Sequence, residues 1–569
     1  MILQALDKYY SRLLENTEVG ICPSGFSMEK ISAVAVINEN GNLLQVKDIR
    51  GGEGGKKYPV SMMVPQSFRR SGPKPYEKPF FLWDNTGFVF GSDDKDDGNS
   101  LLKFENFKKM HIDLLKDLQD TQATALRLFL YKWTPVDMSR FENWDELVGC
   151  NVVFQLEGER CYLHENELLK QIWIDKSDGG GVNYIEAPCS VTGKLSKVPH
   201  THPPIKGVKG AQRSGASIVS FNADAYESYG KIQNYNAPIS KGVVFSYTTT
   251  LNYLLSGVSG QKIHIGDATT VYWTEQESPM EKIFGMSIDV SDNELADNEQ
   301  LKHFLESVRS GENLSPEINP DVKFYILGLS PNESRLSIRF WHVSDVGEIS
   351  RKIGQHFQDL KIIKSGDNDP EFPGVWRILN ETKNTKSKCD APPTLGGALV
   401  NSILSGSVYP QVLLNVIINR IRADQSINYI RAAVIKAILV RKSRIFNNNN
   451  LEVSMSLDTE NKNVAYLLGR LFATLEKTQK DALPGINSTI KDRYYSSASA
   501  SPTSVFPLLL RLSQHHIEKD EYGYINDKRI QEIINDITQF PSHLSLDEQG
   551  LFAIGYYHQR QSFYQKKNI

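Results

Sequence analysis

Cys189, His200 and His202 lie close together, with Cys150 and Cys161 upstream. Thiolate and imidazole are the usual zinc donors, but structural zinc sites carry paired ligands such as CxxC or HxxxH. Here Cys189 has no such companion, and one residue separates the two histidines. On a strand that spacing puts both rings on one face. A metal site and a plain polar loop are therefore both open readings of this segment. Nucleophilic chemistry finds less support. The chain has no GxSxG and no serine–lysine signature, and His515-His516 falls in a helical pattern, where neighbours face different ways. GGEGGKKYP at 51–59 resembles a phosphate loop but has Lys57-Tyr58 where Lys-Ser/Thr is required. A paired-carboxylate site stays open, because the 67 Asp and Glu residues form many pairs that sequence does not sort. The expectation is a protein that is not itself an enzyme, with no catalytic residue, metal or cofactor.

Local charge carries more information. Between 50 and 78, seven basic residues (Arg50, Lys56, Lys57, Arg69, Arg70, Lys74 and Lys78) face only Glu53 and Glu77, a local charge of +5 in a chain of net charge −3. The stretch is rich in Gly and Pro, so its cations ride on loops that can meet phosphates. A second cluster, IKGVKGAQRSG, spaces Lys206, Lys209 and Arg213 with glycines. The segment after it is dense in Asn and Tyr; Asn222, Tyr229, Asn234 and Asn236 are candidates for base contacts. A third cluster sits on helical patterns. Arg420, Arg422, Arg431, Lys436, Arg441, Lys442 and Arg444 face Asp424 alone, with Lys491 and Arg493 in a basic-aromatic loop further on. Each cluster reads either as a phosphate-binding surface or as solvated surface.

The elements that must position these residues follow from periodicity. Apolar residues at helical spacing predict an amphipathic helix over 2–14. Strands are expected at 31–37 and 43–49 around an Asn40-Gly41 turn, and at 80–91, 151–156, 217–221, 269–274, 322–329 and 335–343, with a turn at Pro331-Asn332. Segment 100–132 reads as helical and 285–300 as an acidic solvated loop. Beyond about 394 the segments have helical spacing, with Asn447–Asn450 as a linker. The fold class expected is α+β: a mixed body with short sheets over 1–150 and 151–394, then an all-α bundle over 395–569. Its 569 residues make about three or four domains the prior. Apolar residues at 40% and charged residues at 23% are ordinary globular composition. No apolar run suits a membrane span, the start lacks signal-peptide features, and five scattered cysteines suit a reduced compartment, so a cytoplasmic protein is expected.

Longer blocks carry a resemblance. MILQALDKYY, PSGFSMEKISAVAVINENG, KKYPVSMMVPQ, KPFFLWDNTGFVFG, SIVSFNADAYESYGK, FSYTTTLNYLL, FYILGLSPNESRLSIRFW, YLLGRLFATLEKTQ, INSTIKDRYYSSASASP and DEQGLFAIGYYHQR occur in this order from residue 1 to about 560. Together they resemble the large subunit of the subtype I-C CRISPR surveillance complex, Cascade. The resemblance implies a non-catalytic subunit with these partners: guide RNA, target duplex DNA, backbone subunits, a subunit binding the guide 5′ end, a small subunit and a recruited helicase-nuclease. It implies reading of a short, TTC-like protospacer-adjacent motif and help in opening the duplex while the guide supplies sequence specificity.

The resemblance also places motif reading on the loop 66–78, QSFRRSGPKPYEK. Gln66, Ser71, Gly72 and Lys74 become candidates for groove contacts, with Arg69 and Arg70 for phosphates. Arg50, Lys56, Lys57, Lys206, Lys209, Arg213, Arg420, Arg422, Arg441, Arg444, Lys491 and Arg493 are the other backbone candidates. The family further implies that the helical C-terminus is also made separately by internal initiation. Met455 would start a product of 115 residues, and Val453 is the other candidate start. The competing reading is a metal-dependent nuclease acting on DNA or guide RNA through His200 and His202.

Overall fold

The computed structural model describes residues 1–569 except 17–18, 53–56, 68–69, 71–73, 94–97, 136–137, 139–140, 142–143, 180–183, 292, 294, 296–297, 313, 384–392 and 565–569. The chain is 50% helix and 16% strand, with the strands in short sheets, so the expected α+β class holds. It divides into two compact units that interleave in sequence. One comprises 6–203 and 219–250, the other 1–5, 204–218 and 251–569.

In the first unit, β1 (Phe26–Ile31) pairs antiparallel with β4 (Val60–Pro65), from Phe26 opposite Pro65 to Ile31 opposite Val60. Ser32 separates β1 from β2 (Ala33–Ile37), so the single strand expected at 31–37 is two. A four-stranded sheet follows the order β3-β2-β6-β5, with β3 at Leu43–Asp48, β5 at Trp83–Asn85 and β6 at Asn151–Leu156. The β2–β3 hairpin turns where Asn40-Gly41 predicts. Gly41 adopts φ +78°, and a Cβ there would strike the backbone of Leu128 and Phe129. Strand β2 runs parallel to β6, which requires a crossover. The helices Ser100–Leu115 and Thr121–Lys132 lie within it and bury Phe104, Phe107, Leu126 and Phe129 with Ala33, Ala35 and Phe154 of the sheet.

Two expectations fail in informative ways. Residues 80–91 give only the three-residue β5. The Asn85 side chain accepts from the amide of Phe88 (3.3 Å) and starts the helix Thr86–Phe90, which Gly91 ends at φ +74°. The Asx cap overrides an apolar run that reads as strand. The stretch between 50 and 78, whose Gly and Pro content suggests loops, contains β4, whose Val-Ser-Met-Met-Val sequence pairs along its whole length.

The first unit also holds the antiparallel pair β7 (Tyr184–Pro188) and β8 (Leu195–Pro199), and the second unit holds the antiparallel sheet β12-β11-β10-β9: Arg335–Asp345, Lys323–Asn332, Ala268–Thr274 and Lys262–Ile265. Every residue of β10 is buried. The β11–β12 ladder continues to Asn332 opposite Arg335, so the turn falls at Glu333-Ser334, with Glu333 at φ +54°, and not at Pro331-Asn332. Residues 217–221 form no strand; Ser217 bridges only to Arg335. The acidic stretch 285–300 begins inside the helix Met280–Ile288 and ends in Glu299–Ser310, whose cap is Asn298 accepting from Leu301 (3.0 Å).

Helices follow over Val346–Leu360, Val375–Asn380, Pro393–Ser405, Gln411–Asp424, Tyr429–Phe446, Val464–Ala482, Ile490–Ala500, Pro502–Lys519, Gly523–Ile534 and Leu546–Tyr564. The expected loop around Arg493 is the helix Ile490–Ala500, fixed by Thr489 and Asp492 at its start (amide to carboxylate 2.6 Å). One apolar core runs from Ile265 and Phe324 at the sheet to Phe552 and Tyr557 in the last helix. At its C-terminal end, Gly469 and Gly555 let two helices touch backbone to backbone: a Cβ on either would overlap the carbonyl of Phe552 or Tyr466. Among the described residues no helix is long and apolar enough to cross a membrane.

Candidate nucleic-acid interface

The loop 66–78 is held at both ends. Where it leaves β4, the Trp83 indole donates to the Pro65 carbonyl (2.8 Å), the Gln66 amide to Gly25 (2.7 Å), and Ser67 bonds Ser27 and Glu29. Where it returns, Arg70 closes the stem. Its Nε donates to the Lys78 carbonyl (2.8 Å), its Nη2 bonds the buried Asp84 carboxylate, and its guanidinium lies between the rings of Phe80 (3.9 Å) and Phe88 (4.0 Å). Asp84 also accepts from the amides of Phe80 and Asn85, 2.8 Å each. Burial pushes its carboxyl up to about 6, against the pull of Arg70. Arg70, a sequence candidate for phosphate, is therefore the stem's internal cation and not a surface contact. Close by, Leu82 adopts φ +62°, and its amide donates to His111 Nε2 (2.8 Å) while His111 Nδ1 donates to the Phe107 carbonyl (2.8 Å). That geometry requires neutral His111, and burial holds its pKa down at about 3.

Gln66 and Lys74 are exposed on this loop; Lys74 pairs with Glu77 (3.0 Å). Ser71, Gly72, Arg69 and Lys56 lie outside the described residues. Arg50 and Lys57 do not project as free charge. Both bond Asp48 and Glu146, at 2.8–3.0 Å, in a closed four-membered network. The local charge of +5 is thus largely neutralised by acids outside the counted stretch: Asp48, Asp84 and Glu146.

The third cluster is corrected in the same way. Arg441 is 1% exposed, bonds the equally buried Asp359 (2.8 Å) and the Ser402 carbonyl (3.1 Å), and stacks on Tyr409. Arg444 makes two 2.9 Å bonds to the same carboxylate. Arg420 pairs with Asp424, Arg431 with Asp424 and Glu381, and Lys442 with Asp547 (2.8 Å). Arg422 donates to Gln549 (2.8 Å), and Lys436 is buried on the Asp359 carbonyl (3.0 Å). Arg431, Lys436 and Arg441 are buried, whereas Arg444 is paired but keeps its side chain 42% exposed; the acids are in part local, as Asp424 is to Arg420, and in part distant, as Glu381, Asp359 and Asp547 are. Lys491 is half-buried, and burial lowers its pKa; Arg493 is exposed and makes no ion pair with any described residue.

The second cluster survives as surface charge. Lys206, Lys209 and Arg213 are exposed and make no ion pair with any described residue. Their backbone is held instead. The Lys206 amide donates to Asn252 (2.8 Å), the Lys209 amide to Thr269 (3.0 Å), and Ile205 bridges Ala216. Gly207, at φ +91°, passes so close to Leu255 that no side chain fits. Lys209 also opens onto a cleft with Lys262, Lys282 and Lys383, residues scattered too widely for sequence to group.

In the polar segment that follows, Ser228 bridges Lys231 across Tyr229-Gly230, both with positive φ, and Tyr229 stands 98% exposed at the tip. Asn222 is exposed. Asn234 is buried, and Asn236 bonds Ser228, Lys231 and Gln233. These last two build the loop and do not face outward, which corrects their reading as base contacts. The metal candidates part company. His202 is buried with Nδ1 against the Tyr247 hydroxyl (2.7 Å), His200 packs edge-on to Tyr235, and Cys189 Sγ accepts from the amides of Val191 and Ser240. Among the described residues no group of three or more His, Cys, Asp or Glu side chains is arranged to hold a metal.

A family model described as CRISPR-associated protein (Cas_Csd1) matches residues 6–564. The chain belongs to this family. The match spans both compact units and the blocks that carry the sequence resemblance, except the first five residues of MILQALDKYY. Membership makes this Csd1-family chain a component of a Cascade-type CRISPR complex. No curated protein matches the chain.

Proposed function

We propose that this chain is the non-catalytic large subunit of a type I-C guide-RNA surveillance complex. In this reading it recognises the protospacer-adjacent motif in duplex DNA, promotes R-loop formation and supports recruitment of the helicase-nuclease. Family membership over 6–564 carries the reading. The loop 66–78 supports it further. A stem fixed by Arg70, Asp84 and Trp83 presents exposed Gln66 and Lys74, and groove readout needs polar groups on a rigid base. Lys206, Lys209, Arg213 and Arg493, exposed and paired with no described acid, supply sequence-independent attraction for phosphates. Guide pairing supplies specificity, so the subunit needs neither nucleophile nor metal. Guide RNA, target DNA, backbone subunits, the guide 5′-end subunit and the small subunit are its proposed partners, and Met455 or Val453 the proposed internal start of that small subunit.

The test is a duplex-binding titration of reconstituted guide-RNA complex, with and without this chain, on targets carrying a TTC or scrambled motif. Tight binding that needs both chain and motif is expected. Binding indifferent to the chain would move motif reading to another subunit.

A further inference from the structure

The edge of the β9–β12 sheet carries a cleft that no sequence motif announces. Strand β9 brings Lys262 and His264 to one face. The glycine loop brings Lys209, tied through its amide to Thr269 of β10. The helix Met280–Ile288 adds Lys282, and the helix Val375–Asn380 with the turn after it adds Trp376 and Lys383. The cleft is open to solvent and has a volume of about 800 Å³, within the range of ligand sites, roughly 300–1,000 Å³. Among the described residues that line it, four are lysines and one, Asp289, is a carboxylate.

That carboxylate has a local task, since its Oδ1 accepts the backbone amide of Trp376 (2.8 Å) and so fixes where the indole begins. The indole is 61% exposed, with Lys383 Nζ 5.9 Å from a ring centroid. Lys209 and Lys282 are exposed and make no ion pair with any described residue. Lys262 Nζ bonds only a carbonyl, that of Leu255 (2.7 Å). Burial, then Lys209 and Lys262, hold His264 below its ordinary pKa, which marks the positive field of this wall. A tryptophan left in solvent in one cleft with Lys209 and Lys282, which pair with no described acid, matches what single strands use: a flat platform for one base and cations for its phosphates. Bases within a duplex are already stacked, so the indole suits an unpaired one.

We propose that this cleft binds single-stranded nucleic acid, stacking one unpaired base on Trp376 and seating the flanking phosphates on Lys209, Lys262 and Lys282. The proposal rests on the nucleic-acid role above and assigns one surface to it. The test is fluorescence anisotropy of the full chain with labelled oligothymidine, oligouridine and an abasic oligonucleotide of equal length. Trp376→Ala should weaken binding of the base-bearing probes by about 5- to 100-fold, the effect of losing one base–aromatic stack. It should leave the abasic probe unchanged, and Trp376→Phe should restore most of the loss. Lys282→Gln should lower the salt slope by about 0.7. A loss confined to oligothymidine assigns the cleft to a DNA strand, and one confined to oligouridine to RNA. Equal affinities of wild type and Trp376→Ala for every probe would overturn the proposal. So would polyglutamate binding with the same Trp376 dependence. If the Trp376→Ala chain still gives motif-dependent duplex binding in the reconstituted complex, the wider reading stands without this cleft.

Discussion

Replacing Arg441 with Met separates an interior cation from a phosphate ligand. Arg441 and Asp359 are each 1% exposed, and the guanidinium also holds the Ser402 carbonyl and covers Tyr409. Removing one partner of a buried pair costs about 3–5 kcal/mol, because the remaining charge is left uncompensated. Asp359 keeps Arg444, whose side chain is 42% exposed, and accepts from Gln355 (3.1 Å). The expected cost is therefore at the low end, about 3 kcal/mol. Asp359→Asn with Arg441→Met should cost less than the two single changes summed, since they share one contact.

A chain of two units is not expected to unfold as one. The assay is therefore hydrogen exchange in rising urea, read at Val346–Leu360 and Tyr429–Phe446. DNA binding supplies the second readout. A lost duplex phosphate contact lowers the salt slope by about 0.9, and Arg441→Met should not lower it. Unchanged exchange protection with a slope reduced by about that amount would refute the assignment of Arg441 to the core and return it to the nucleic-acid surface.

Four further outcomes are expected. Ser71→Ala with Lys74→Ala should weaken binding of motif-bearing duplex more than of bubble DNA opened in advance; equal losses would count against motif reading by the loop. Gly469→Ala should lower stability by about 3 kcal/mol in urea melts, because its Cβ overlaps the Phe552 carbonyl and two close-packed helices must part. Acid should destabilise both units. Burial holds His111 at about 3, His164 and His202 at about 4, His558 at about 3 and His356 well below normal. Each is neutral when folded and protonates in the unfolded chain below about pH 6.5, removing about 1.4 kcal/mol per pH unit as pH falls. Asp84, raised to about 6, binds its proton first in the folded state and partly offsets this between about pH 6 and 4; a first unit whose stability is flat from pH 7 to 5 would refute the histidine assignment. Mass spectrometry of the natively translated gene should find the 115-residue product that begins at Met455, and a single full-length species would exclude it.

The α+β class, the Asn40-Gly41 hairpin and most C-terminal helices were legible because they rest on local period and turn chemistry. The helix Thr86–Phe90 was not, because one Asn side chain capping an apolar run outweighs the run's β preference. The candidate surface was legible only where cations have no partner. Counting charge within a window found Lys206, Lys209 and Arg213, whose glycine-spaced loop carries no acid and which pair with no described residue. The same count gave Arg50, Arg70 and Arg441 equal weight, yet their partners Glu146, Asp84 and Asp359 lie 96, 14 and 82 residues away. A buried carboxylate that answers a distant arginine has no signature in a charge window, since only the fold brings the two together. The Trp376 cleft shows the converse. Its lysines come from four separate segments, so no window registers a cluster. The fold concentrates charge there and cancels it around Arg441, and this sorting, more than composition, decides which basic residues are available to a nucleic acid.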